Sequence, residues 1–178
     1  KGFRAVDFRF VPPDLRRFDD LKSEALSAPF FVDERPLVGA LGLVDWRLCG
    51  RLSRLLEGGR IHGGAGEQVL VPTRPRLAFE KLFLFGLGTR EAFDEEVFDA
   101  AVDRMLDTLT RARVRASALV LPGRAMHLID PATAIERFLA VADRHPDHDE
   151  VTLVEDVEAQ KEIGPIVERA RRRARAPE

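Results

Sequence analysis

The stretch DERPLVGALGLVDWRLCGRLSRLLEGGRIHGGAGEQVLVP, Asp33–Pro72, decides the fold, together with EKLFLFGLG at Glu80–Gly88. Asp45 can cap a helix that runs to about Glu57. On that helix Leu48, Cys49, Leu52, Leu55 and Leu56 share an apolar face, while Arg47, Arg51 and Arg54 lie on another. Cys49 on the apolar face reads as a buried, inert thiol. Gly58 and Gly59 stop the helix. Gln68–Val71 and Lys81–Phe85 read as strands. The second is apolar at four successive positions, Leu82 to Phe85, as a central strand covered on both faces must be.

Outward from this stretch the pattern continues. Phe3–Val11 alternates as a half-exposed strand and ends at Pro12-Pro13. Ser27–Val32 is a second short strand. Asp94 caps a helix on which Val97, Phe98, Ala101, Val102, Met105, Leu106 and Leu109 recur at helical spacing. Ala116–Leu121 is a buried strand closed by Pro122-Gly123. Asp130-Pro131 opens a helix through Asp143, and Val151–Val154 is a strand. The last helical region, about Val157–Arg175, is interrupted at Gly164-Pro165. Alternating strands and helices from residue 80 onward predict an α/β layered sandwich. The early strands and the close pair at 68–85 predict a mixed sheet.

At 178 residues the chain is expected to form one domain, 1–178, with ample core. A net charge of −2 predicts no bulk attraction to nucleic acid or to an anionic membrane. No apolar run approaches the roughly 20 residues that span a bilayer. No signal peptide is visible after Lys1. The single cysteine excludes an internal disulfide and suits a reducing cytoplasm, the expected location.

From Pro36 to Gly88 the residues resemble the N-terminal domain of leucyl aminopeptidases of the M17 type. The resemblance rests on the helix start Leu43–Trp46, the run Gly50–Leu56, the turn Gly64–Glu67, and a hydrophobic strand leading into Gly86-Leu87-Gly88. It covers roughly residues 5–125. It implies a macro-domain-like, three-layer α/β/α sandwich with a central mixed sheet. In the full enzymes this domain precedes a separate two-metal catalytic domain and contributes to assembly; in some members it helps bind DNA. The family's metal-site signature, Asn-Thr-Asp-Ala-Glu-Gly-Arg-Leu, cannot occur in its usual form, because this sequence has no asparagine. A two-metal hydrolase needs several carboxylates and a lysine converging on its ions. No catalytic residue, metal ligand or cofactor is therefore expected. Macro domains proper bind ADP-ribose through an Asn- and Gly-rich first loop. The corresponding stretch, Pro36–Trp46, keeps Gly39 and Gly42 without an asparagine.

The glycine loops fail the nucleotide tests. Gly86-Leu87-Gly88 would need its third glycine at Glu91, and Gly59–Gly64 has Walker spacing with Ala65 where lysine belongs. A better anion site pairs the helix start after Gly42, with Asp45 and Arg47, and the loop Gly123-Arg124 at a strand's carboxyl end. In a macro-like fold these two loops would flank one crevice able to hold a small phosphate-bearing ligand. His145 and His148 read as part of a solvated loop; His62 and His127 have no evident partner. Ser53 lacks a His/Asp constellation. Arg169, Arg171, Arg172, Arg173 and Arg175 suit a helix C-terminus. Nearby acids argue against nucleic acid at either arginine group. The expected role is a binding or assembly module, with itself or with a peptidase as partner. The alternatives are a binder or processor of an ADP-ribose-like ligand and, third, a DNA-contacting regulator.

Overall fold

The computed structural model describes residues 6–175, and side chains through Ala174. The elements are β1 (Asp7–Val11), α1 (Leu15–Asp19), β2 (Ala25–Phe30), α2 (Gly39–Arg47), α3 (Arg51–Glu57), β3 (Gln68–Pro72), β4 (Lys81–Gly86), α4 (Glu95–Arg111), β5 (Ala116–Leu119), α5 (Pro131–Ala142), β6 (Glu150–Val154) and α6 (Val157–Arg175). A 3-10 turn, Arg124–Met126, precedes α5. Phe3, Arg4 and Ala5, read as the start of the first strand, lie outside the described residues.

The strands form one mixed sheet in the order β1-β6-β5-β2-β4-β3. All neighbours are parallel except β3, which runs antiparallel to β4 at one edge. Two apolar clusters cover the two faces, and the two-residue period of β4 feeds both. Phe83 and Phe85 enter the cluster beneath α4, α5 and α6 with Phe98, Met105 and Phe138. Leu82 and Leu84 enter the cluster beneath α1, α2 and α3 with Phe18, Leu52 and Phe79. Four consecutive apolar residues are thus all buried, and the molecule is the expected three-layer α/β/α sandwich.

The helix starts read from Asp94 and Asp130 are present. Each carboxylate accepts an N–H three residues on, from Val97 and Thr133, at 2.9 Å. Several expectations change. The helix expected from Asp45 to Glu57 is two helices, broken where Cys49 and Gly50 take left-handed backbone angles, φ 56° and 74°. Asp45 sits near the end of α2 and caps α3 across the break, its Oδ1 accepting from Leu52 N (2.7 Å) and Ser53 N (3.2 Å). The break turns Cys49 off the apolar face, so the thiol is exposed rather than buried.

Helix α6 runs unbroken through Gly164-Pro165. Ile163 and Val167 are buried on either side of the proline, and this packing holds the helix against the sheet despite the lost N–H. The 145–149 segment is solvated at Pro146, Asp147 and Asp149, but its two histidines are not. The His145 ring lies 2.9 Å from Asp103 Oδ1, and His148 is 2% exposed beside Thr110. The short helix α1, capped by Asp14 on Arg16 N and Arg17 N, had no counterpart in the sequence reading.

Candidate functional site at the strand ends

In open α/β sheets, loops at the carboxyl ends of parallel strands make the usual ligand crevice. Here those loops hold one another. Glu34, buried after β2, accepts from Phe31 N (3.1 Å) and Val38 N (3.3 Å) and pins the β2–α2 loop. Burial pushes its carboxyl above the ordinary value, opposed by those two N–H groups. Asp33 receives Arg90 N and Arg90 Nε, each at 3.1 Å, tying that loop to the one after β4. Gly86 packs so tightly on the 63–64 turn that a Cβ there would lie 2.0 Å from the Gly64 carbonyl oxygen. Gly86-Leu87-Gly88 is accordingly a packing turn.

The crevice that remains has a volume of about 190 Å³ and is lined by Gly39, Val120, Arg124, Ala125, His127 and Glu155, among others. Small-molecule pockets usually measure ~300–1,000 Å³. Arg124 fills the crevice from below. Its Nε and Nη2 donate to Glu155 Oε1 (2.9 Å) and Oε2 (3.2 Å), and its Nη1 donates to the Ile129 carbonyl (2.8 Å). Only 6% of the Arg124 side chain and 4% of Glu155 are exposed. From above, Gly39 meets the 3-10 turn: a Cβ on it would lie 3.2 Å from Ala125 Cβ. Asp156 Oδ1 accepts from Ala159 N at 2.8 Å at the start of α6, where an anion would otherwise be drawn.

The five residues singled out in the sequence lie in different places. Gly123, at φ 74°, packs against the Phe93 ring, and Arg124 lies in the strand-end crevice. Gly42, Asp45 and Arg47 line a separate open groove of about 760 Å³ with Pro36, Leu37 and Trp46. There a Cβ on Gly42 would lie 2.6 Å from the Leu37 carbonyl oxygen. The Asp45 carboxylate also accepts from Ser53 Oγ at 2.5 Å, and Arg47 Nη2 lies 2.9 Å from Asp19 Oδ2. Trp46, 69% exposed, lines this groove and not the strand-end crevice, which it does not plug. Sequence reasoning missed Glu34 and Glu155. Neither lies in a motif, and Glu155 is 31 residues from its partner. Among the described residues no group of three or more His, Cys, Asp or Glu could hold a metal ion. No described helix is long and apolar enough to cross a membrane.

Solved structures share this architecture. A Trypanosoma brucei macrodomain in complex with ADP-ribose matches with a TM-score of 0.70 at 14% identity, covering 92% of this chain and 69% of that one. A tomato leucine aminopeptidase mutant matches with a TM-score of 0.61 at 14% identity, covering 89% of this chain and 35% of that one. At such identities the likeness is one of fold: the molecule is a macrodomain-like sandwich. Sequence comparison is more specific. The model of the cytosol aminopeptidase family, N-terminal domain, matches residues 29–142. A probable cytosol aminopeptidase of Thermosynechococcus vestitus is 31% identical over 118 residues, 66% of this chain and 23% of that protein. The chain belongs to the cytosol aminopeptidase family, through its N-terminal domain. It spans 18–23% of the length of the curated relatives it matches.

Proposed function

We propose that this chain is a non-catalytic binding and assembly module, acting with a further copy of itself or with a peptidase. The observation that carries the reading is the strand-end crevice, where a fold that elsewhere holds ligands is filled by the chain's own Arg124–Glu155 pair and by the Gly39–Ala125 contact. Membership through the N-terminal domain supports it, because that segment makes up a minor part of the curated relatives. A cytoplasmic setting accords with the family's name. The test is incubation of the purified chain with leucyl substrates and manganese or zinc. No release of amino acid is expected, and release would overturn the reading.

The alternative, an ADP-ribose-like or other phosphate-bearing ligand held by Gly42, Asp45, Arg47, Gly123 and Arg124, draws support from the likeness to a macrodomain solved with ADP-ribose. Against it stand the small crevice, the carboxylates of Glu155 and Asp156, and the separation of the five residues. A dose-dependent rise in melting temperature with ADP-ribose would favour the alternative; none is expected.

A further inference from the structure

Of the surfaces outside the strand-end crevice, one combines an exposed aromatic ring, an apolar floor and charges without counter-charges. It is the groove of about 760 Å³ beside α2 and α3. Trp46 stands at its rim as the most exposed of the large hydrophobic residues described. Pro36 and Leu37 form apolar lining, and Arg76 closes one side. Packing requires nothing of an indole in that position. Tryptophan and arginine are the residue types that most often dominate binding energy at protein interfaces.

The arginines are held in place without being neutralised. Arg76 Nη1 lies 3.1 Å from Cys49 Sγ, Arg54 Nη1 donates to the Cys49 carbonyl at 2.7 Å, and Arg51 Nη1 donates to the Pro72 carbonyl at 3.2 Å. None of the three makes an ion pair among the described residues, whereas Arg47, Arg74, Arg90, Arg115, Arg124 and Arg137 each face a carboxylate. Guanidiniums pre-positioned by neutral acceptors lose little side-chain freedom when a carboxylate arrives.

We propose that this groove docks an acidic segment of a partner protein, with an apolar side chain seated against Trp46, Pro36 and Leu37 and carboxylates on Arg51, Arg54 and Arg76. The proposal deepens the assembly reading and rests on it. Two observations set the choice of occupant. A small phosphate would seek the N–H groups of Leu52 and Ser53, which Asp45 already occupies. A nucleic-acid backbone needs a longer basic track than three charges interleaved with apolar residues and flanked by the Arg47–Asp19 and Arg74–Glu80 pairs.

Trp46 is the single tryptophan and Cys49 the single cysteine, and both line the groove. The probes are a labelled peptide of alternating glutamate and leucine, the same peptide with alanine for leucine, the same with lysine for glutamate, and oligothymidylate. The expected result is a saturable, salt-sensitive blue shift of Trp46 emission with the glutamate–leucine peptide alone. By anisotropy its affinity falls about tenfold or more in Trp46→Ala, in Arg76→Glu and in the Arg51→Glu/Arg54→Glu double variant. It is lost when Cys49 carries a bulky maleimide, and is unchanged in Arg172→Glu on the opposite helical layer. Equal melting temperatures establish that the variants fold.

Absence of a shift, an equal response to the lysine peptide, or tighter binding of oligothymidylate overturns the proposal. So does self-association by light scattering that Trp46→Ala abolishes, since a second copy would then be the occupant. None of these outcomes involves hydrolysis of leucyl substrates, so the groove can fail while the non-catalytic reading stands, and the reverse.

Discussion

Arg124 commits its guanidinium to Glu155 and to the Ile129 carbonyl, with only 6% of its side chain and 4% of Glu155 exposed. Two parallel N–H···O bonds hold the pair in one geometry. Such a pair contributes less to net stability than its distances suggest, because both ions were desolvated to make it. Removing one member is different. Arg124→Ala strands a buried carboxylate and is expected to cost about 3–5 kcal/mol in urea denaturation. Replacing both with apolar residues, Arg124→Met with Glu155→Leu, is expected to leave stability near that of the parent. A parent-like Arg124→Ala would mean that the crevice admits water.

His148 makes a second prediction at this scale. Burial pushes its imidazole below the ordinary value of 6.5, and the neighbouring His145 and Arg115 charges act the same way; the Leu106 backbone and Asp147 oppose them. Between the folded and unfolded values the unfolded chain binds more protons. Stability from this group is therefore full above pH 6.5 and is lost as the pH falls through the lower folded value. The urea midpoint should drop as the pH falls below about 6.5, with a shallower slope in His148→Leu.

At the scale of elements, two glycines with the same letter have opposite roles. Gly86, at the end of β4, lies against the 63–64 backbone, which cannot yield as a flexible side chain would. Gly86→Ala is expected to destabilise by about 3 kcal/mol or more. Gly164, inside α6, has nothing within 4 Å of an added Cβ and no left-handed angle. Because its helical angles precede Pro165, whose Cδ crowds a Cβ on the residue before it, Gly164→Ala offsets its backbone gain and should change stability by less than about 1 kcal/mol. Thermal melts showing equal losses in the two variants would contradict this account.

Sequence reasoning could place Gly86 in a tight turn, because strand and turn are contiguous. It could place the caps at Asp94 and Asp130 for the same reason: cap and recipient N–H are three residues apart. It could not see the break between α2 and α3. The 45–57 stretch has an unbroken helical periodicity, and only the left-handed turn at Cys49 and Gly50, with Asp45 reaching across it, divides the two helices. Nor could it see that α6 survives Pro165, because the holding force is burial of Ile163 and Val167 against strands elsewhere in the chain.

On the scale of the whole molecule, one sheet carries two cores. Phe83 and Phe85 serve one, Leu82 and Leu84 the other, so loss of β4 removes both. Unfolding is therefore expected to be one cooperative transition, with equal calorimetric and van't Hoff enthalpies. Two resolved transitions would mean that the helical layers melt separately. Charge is uneven at this scale as well. Acids on α4 meet arginines and a histidine of α5 and the segment after it, in the Arg137–Glu95, Arg137–Asp99, Arg144–Asp103 and His145–Asp103 contacts. Arg51, Arg54 and Arg76 on the other side of the sheet have no such partners among the described residues.

The sequence by itself determined the class of fold and the family, because strand and helix periods, caps and the glycine turns between Pro36 and Gly88 are written in neighbouring residues. Only the tertiary structure decided how much room the crevice leaves. Its small size depends on Arg124 meeting Glu155 and on Gly39 meeting Ala125, contacts that span 31 and 86 residues and exist only once the parallel strands have brought their ends together.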